Sequence, residues 1–332
     1  MRTPPRRHAR TRPAPRRPHP AATPALLLLL GLLLAACTQR AGESHEERGG
    51  TAAATAEVPP SGTEGVAPIR TPEVPAAPDG LPVARIVSLL PSATEMLAAL
   101  GVGEALVGRT MHCDDPAWVL ALPSVGSGLT PDLERLLSLR PDLVVAGRMQ
   151  AGQPVLQRLR DHGVEVMVLP DERLEDVFAG IDALGERLGL QTRAEEIGQG
   201  IGASIGLLTL RQPAEPVRTL IVVGTDPIFA AGRDTFLDDL LQAAGGVNVV
   251  ERTGWVRLDQ EAVIGLRPAL LLSTGEESRL REQWAFLRRA VPAVGLCSVP
   301  EDIAARQGPR VAEAAAAYQR CILRHAPVAP PE

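Results

Sequence analysis

The chain has 332 residues, 45% of them hydrophobic, enough to bury one large or two modest cores, and this excludes a fibrous or wholly unfolded protein. All 34 basic residues are arginine, a compositional bias that identifies no partner. Seven of them and no acid fall in residues 1–36, so the net charge of −5 becomes −12 from Cys37 onward, which argues against phosphate-backbone binding and so against a nucleic-acid partner.

Arg2, Arg6, Arg7, Arg10, Arg12, Arg16 and Arg17 form a basic leader, followed by the apolar run Ala25 to Leu34 and then Ala35-Ala36-Cys37. That order is expected of a secretory signal, and the apolar run is too short to span a bilayer. Residues 1–36 therefore read as a signal peptide. Leu34-Ala35-Ala36-Cys37 also resembles a bacterial lipobox, which implies diacylglyceryl transfer to the Cys37 thiol and cleavage before it. Ordinary cleavage after Ala-x-Ala and an uncleaved signal anchor are the alternatives, and both still export the chain. The expected location is extracytoplasmic, with the lipid on Cys37 holding the mature protein to a membrane and facing the periplasm or the outer face of the cell membrane.

Residues 37–82 are rich in Pro, Gly, Ala, Thr and Glu and lack apolar periodicity, so they read as a disordered tether with an r.m.s. span of roughly 35–40 Å. Then Arg85 to Leu90 is strand-like and Pro91 breaks it, with Ser92 and Glu95 spaced as a capping box for a helix. Strand then helix is α/β grammar. It continues with strand Ala105 to Gly108, the His112 to Pro116 loop, a helix opened by Thr130-Pro131 and running to Leu139, and strand Asp142 to Ala146. Helix Val155 to His162, strand Val164 to Leu169 and helix Leu174 to Leu188 complete a first half, residues 83–190.

Apolar recurrences at Ile197, Ile201, Ile205 and Leu208 predict one helix of about 19 residues from Thr192 to Leu210, roughly 28 Å long, within a linking segment 191–212. A second half, 213–325, repeats the grammar with strands Thr219 to Val223, Ala269 to Leu272 and Val291 to Leu296 and helices Phe236 to Ala244, Asp259 to Leu266 and Pro309 to Leu323. Residues 326–332 read as a flexible tail. Asp132, Glu134, Leu139, Arg140 and Pro141 recur as Asp259, Glu261, Leu266, Arg267 and Pro268 at a constant offset of 127. Either two related lobes or a common local solution accounts for this.

Ser88-Leu89-Leu90-Pro91-Ser92-Ala93-Thr94-Glu95, Val107-Gly108-Arg109, Cys113-Asp114-Asp115-Pro116, Leu133-Glu134-Arg135 with Arg140-Pro141-Asp142, and Gly245-Gly246-Val247-Asn248-Val249 resemble, in order, the periplasmic binding proteins for cobalamin, haem and iron–siderophore complexes. The resemblance spans about residues 84–323. It implies a class III solute-binding protein: two Rossmann-like α/β lobes joined by a single long helix, a ligand cleft between them, and little hinge closure. It further implies a monomer that partners an ABC permease dimer with a cytosolic ATPase. The ligand would be a metal chelate, with no intrinsic cofactor. The Ser88 to Glu95 motif, and Trp255 lying six residues before Glu261, most resemble the cobalamin branch; haem, then ferric siderophore, are the alternatives. The matching permease-docking positions are Glu134 and Glu261. Gly128, Asp115 and Gly147 stand where the first lobe's aromatics would be expected, so the stacking surface for a corrin is reduced or replaced.

The candidate ligand-binding residues are Pro91, Ser92, His112, Asp115, Arg148, Phe229, Arg233 and Trp255. His112 sits in a run of metal donors, Met111 to Asp115, and is a candidate axial ligand to a chelated metal; the alternative is contact through van der Waals or hydrogen bonds. Trp255 follows Gly254 outside any periodic segment, unlike Trp284, which sits in a helical stretch and reads as core. Phe229 lies in a loop between strand and helix. Arg148 and Arg233 follow strands or turns where a ligand carboxylate, amide or phosphate would sit, or else are solvated. Cys113, Cys297 and Cys321 are an odd number for an oxidising compartment; a Cys297–Cys321 pair between the last strand and helix would leave Cys113 free, a geometry that sequence alone does not establish. No Gly-x-x-x-x-Gly-Lys or His-Glu-x-x-His motif occurs, and the Gly-x-Ser-x-Gly match at Gly202 to Gly206 lies inside the predicted linking helix and not at a strand-to-helix turn, so the chain is expected not to be an enzyme; a lipid-anchored hydrolase is the formal alternative.

Overall fold

A computed structural model describes residues 78, 80–274 and 276–326, all within one unit, Gly62–Glu332. The signal-like segment, the lipobox with Cys37, nearly all of the expected tether and the tail from 327 lie outside the described residues. Among the described residues no helix is long and apolar enough to cross a membrane.

The first sheet is wholly parallel, in the order β2 (Leu106–Gly108), β1 (Ile86–Ser88), β3 (Leu143–Gly147) and β4 (Glu165–Leu169). Its central strands read as unbroken apolar runs because helices cover both faces; every residue of β1 and β3 is buried. The helices are α1 (Pro91–Ala99), α2 (Leu133–Ser138), α3 (Pro154–Asp161) and α4 (Glu175–Leu188). The expected Ser92–Glu95 capping box does not form. Pro91, whose missing N–H costs nothing at a helix start, begins α1 two residues earlier than a Ser92 cap would, with Leu90 as a cap lacking a side-chain bond. Ser92 is therefore inside the first turn, and Thr94 Oγ1 donates to the Leu90 carbonyl at 3.2 Å. Similarly, α2 is opened by Asp132, not by Thr130-Pro131.

The long helix forms as expected, as α5 (Gln191–Thr209, 19 residues), and packs against α4 and against the final helix, α11 (Val311–His325). Gln319 Nε2 donates to the Leu208 carbonyl at 2.6 Å, fixing the end of α5 to α11.

The second sheet departs from simple repetition. Its order is β10 (Gly295–Ser298), β9 (Leu270–Ser273), β5 (Val217–Thr225), β6 (Ile228–Ala231) and β8 (Trp255–Leu258), with β7 (Gly246–Asn248) also on β5. β6 is antiparallel to β5 and to β8. The cause is length: only Asp226-Pro227 separates β5 from β6, enough for a hairpin but not for the dozen residues of a parallel crossover. The last strand lies at Gly295–Ser298, later than the expected Val291 start, because Pro292 falls in a turn. The remaining helices are α6 (Phe236–Ala243), α7 (Gln260–Leu266), α8 (Glu277–Gln283), α9 (Ala285–Ala290) and α10 (Glu301–Ala304). Trp284, between α8 and α9, is buried in the second core as expected.

Cys297 and Cys321 form a disulfide between β10 and α11, closing a 24-residue loop, and Cys113 is free and buried. Loop closure of that length stabilises by about 3–4 kcal/mol.

The 127-residue repeat is structural. Asp132 Oδ1 accepts from Arg135 N at 3.1 Å and Asp259 Oδ1 from Ala262 N at 2.7 Å, each capping its helix. Glu134 and Glu261 fall in the two first turns, both exposed. Arg140 (φ 46°) and Arg267 (φ 44°) both adopt the left-handed conformation just before a proline, and each chain then enters its buried strand, β3 or β9. Conformation and chemistry repeat together.

Candidate ligand cleft

In an open parallel sheet, side chains able to meet a ligand gather beyond the carboxyl ends of the strands. Beyond the ends of β1 to β4 lie Leu89 to Ser92, Arg109 to Pro116, Arg148 to Gln150, and Asp171 to Arg173. Parts of the second lobe meet them on two sides. On one, Arg173 donates its Nε and Nη2 to Asp239 at 2.8 and 2.7 Å, and Leu174 N donates to the same carboxylate at 3.0 Å; Asp234 is 3.5 Å from Arg173 Nη1. On the other, Arg306 and Arg310, either side of Gly308-Pro309, meet Glu95 of α1. The sequence reading missed all of these. Glu95 was masked by its spacing from Ser92, and arginines in an arginine-rich chain carry no distinguishing signal.

The candidate residues fall into three groups. Pro91, His112 and Asp115 are half-buried and Ser92 is buried; Asp115 is 3.6 Å from Arg310 Nε. Arg148 is exposed beside Glu172 at 3.2 Å, and its backbone N–H donates to Asp171 at 3.3 Å. Burial pushes the Asp171 carboxyl above the ordinary carboxylate range, and the bond from Arg148 N only partly opposes this. In the second lobe, Trp255 is 43% exposed, whereas Phe229 is largely buried at 8%. The β6–β8 ladder brings Arg233 and Trp255 close together: Ala231 pairs with Trp255, and Gly254 N donates to the Arg233 carbonyl at 2.8 Å. Arg233 also pairs loosely with Glu251 at 3.8 Å. Phe229 is thus less available to a ligand than the sequence suggested, because it sits inside a paired strand and not in a loop.

The two glycines at expected aromatic positions have a steric explanation. A Cβ on Gly128 would lie 2.6 Å from the Leu89 carbonyl oxygen, and one on Gly147 would lie 2.4 Å from Asp171 Oδ2. A side chain at Gly128 would strike backbone, whereas one at Gly147 would require the Asp171 carboxylate to move aside. Exposed apolar groups beyond β2 and β3 include Met111 (52% exposed) and Met149 (37%). Among the described residues, no three His, Cys, Asp or Glu side chains are grouped to hold a bare metal ion.

The family described as "Periplasmic binding protein" matches residues 86–292, and the chain belongs to that family. Over 244 residues it is 30% identical to the uncharacterized ABC transporter substrate-binding lipoprotein YvrC of Bacillus subtilis, covering 69% of this chain and 76% of that protein. A vitamin B12-binding protein of Pectobacterium carotovorum is 29% identical over 236 residues, covering 70% of this chain and 85% of the relative. Among solved structures, the periplasmic heme-binding protein RhuT from Roseiflexus sp. RS-1 in its apo form matches with a TM-score of 0.62 at 27% identity, covering 72% of this chain and 98% of that one. Within its family the chain is a two-lobed, class III solute-binding protein and not an enzyme.

Proposed function

We propose that this chain is the lipid-anchored extracytoplasmic receptor of an ABC importer, and that it captures cobalamin or a related corrinoid for delivery to a permease dimer with a cytosolic ATPase. The observation that carries the corrinoid reading is Trp255: a large ring left 43% exposed at the start of β8, beside Arg233 and six residues before Glu261. A folded protein has little reason to leave indole in water, and a broad, partly apolar ligand would cover it. Met111 and Met149 offer soft apolar surface on the first lobe, suited to an irregular ligand face. Haem is the second reading, favoured by the half-buried His112 next to Met111 on the β2 loop and by the likeness to a heme-binding protein.

Titration of the mature protein with cyanocobalamin, read by tryptophan quenching, tests the role of Trp255. Trp255→Ala is expected to weaken binding by roughly 1–3 kcal/mol through lost stacking and apolar burial. Unchanged affinity would remove Trp255 from the site.

A further inference from the structure

The Glu95 side chain is only 3% exposed, although it is a carboxylate on the first turn and a half of α1. Such a group is costly to bury unless opposite charges and hydrogen bonds surround it. Here both charges come from the other lobe. Arg306 Nη1 donates to Oε1 at 2.9 Å, while Arg310 donates its Nε to Oε2 at 3.1 Å and its Nη2 to Oε1 at 2.7 Å. The same arginines reach on to a third segment: Arg306 Nη2 donates to Asp114 at 2.6 Å, and Arg310 Nε is 3.6 Å from Asp115. Asp114 and Asp115 directly follow His112 and Cys113 on the loop beyond β2. Burial works against the Arg306 charge, but the bonds from Glu95 and Asp114 outweigh it; Arg310 is held charged first of all by Glu95.

We propose that Glu95 is the positioning residue of the cleft: by holding Arg306 and Arg310 it fixes the Met111 to Asp115 loop against the second lobe and sets the gap that the ligand enters. Glu95 itself touches no ligand, since its carboxylate is enclosed. Arginine suits this task because its planar fork serves two carboxylates at once in fixed directions, which a lysine ammonium does not. A cleft set in this way binds without first ordering its own wall, which lowers the cost of association. The inference rests on the ligand-binding reading above and adds the residue that organises the site.

The test compares Glu95→Gln, which keeps shape and removes charge, with Leu97→Ala, a cavity variant buried in the same helix. Amide hydrogen exchange is measured on the mature protein alongside cyanocobalamin titration. Glu95→Gln is expected to speed exchange in 110–116 and 305–311 by about tenfold or more, to leave 234–239 unchanged, and to weaken binding by about tenfold. Leu97→Ala is expected to lower the melting temperature without either effect. Should Glu95→Gln not fold, Arg310→Lys, which keeps the charge but loses the fork, is expected to produce the same pattern more weakly. Unchanged exchange in 110–116, or an affinity loss no larger than that of Leu97→Ala, would overturn the proposal. If the wild-type protein ignores cyanocobalamin, the corrinoid reading fails on its own, while the exchange comparison still decides whether Glu95 holds the loop.

Discussion

Replacing Glu134 and Glu261 together by alanine is expected to abolish ligand uptake while leaving the fold and the ligand affinity intact. Both carboxylates are exposed in the first turn of a short helix, each helix is capped by an aspartate two residues earlier, and each is followed within two residues by a left-handed arginine before a buried strand. Two like charges on duplicated helix starts match what a two-fold-symmetric permease requires of its receptor. If arginines on the permease meet them and the pairs lose water on docking, each contributes on the order of 2–5 kcal/mol. The competing account is that each glutamate merely complements its helix dipole, a contribution of only a few tenths of a kcal/mol at an exposed site. The two accounts separate in a reconstituted importer. Docking predicts near-complete loss of transport and of ATPase stimulation in the double variant, with each single variant intermediate. Wild-type rates at limiting receptor would leave only the dipole account.

Cys37→Ser is expected to have an all-or-none effect. A serine hydroxyl does not accept the diacylglyceryl group that the lipobox directs to a thiol, so the variant is expected to carry no lipid and to remain uncleaved or be released as soluble protein. Stable anchoring needs two or more acyl chains, because one alone binds a bilayer only marginally. Labelling cells with a radioactive fatty acid and fractionating their membranes measures both consequences. Lipid-labelled, membrane-bound Cys37→Ser protein would contradict the lipobox reading.

Much of this fold was legible because its signals are local. Pro91 and the apolar run of β3 mark boundaries by their own chemistry, and the periodicity of α5 located the linking helix to within a residue at each end. The hairpin of β5 and β6 was harder to read, since Ile228 to Ala231 is a short apolar run whose direction depends on the two-residue connection before it. The site was legible only in part. Trp255 stood out because the sequence reading assigned it to no periodic segment, although the structure places it first in β8, and of the two helix starts only the one at Asp259 was read in place, the other being expected at Thr130-Pro131. Glu95 was assigned to a cap on spacing alone, and its actual partners are 211 and 215 residues away. Arg173 and Asp239, 66 residues apart, were invisible for the same reason. Contacts between lobes are made by folding, and a single sequence carries no mark of which arginine meets which carboxylate.

The most direct measurement is a ligand panel on the purified mature protein: cyanocobalamin, cobinamide, haemin and a ferric siderophore, each titrated with tryptophan quenching and visible absorption recorded together. The expected result is saturable one-to-one binding of cyanocobalamin or cobinamide, tighter than haemin and the siderophore, and weakened by Trp255→Ala. Tight haemin binding with both corrinoids ignored would contradict the corrinoid assignment, and saturable binding of none of the four would contradict the assignment of this cleft to metal chelates.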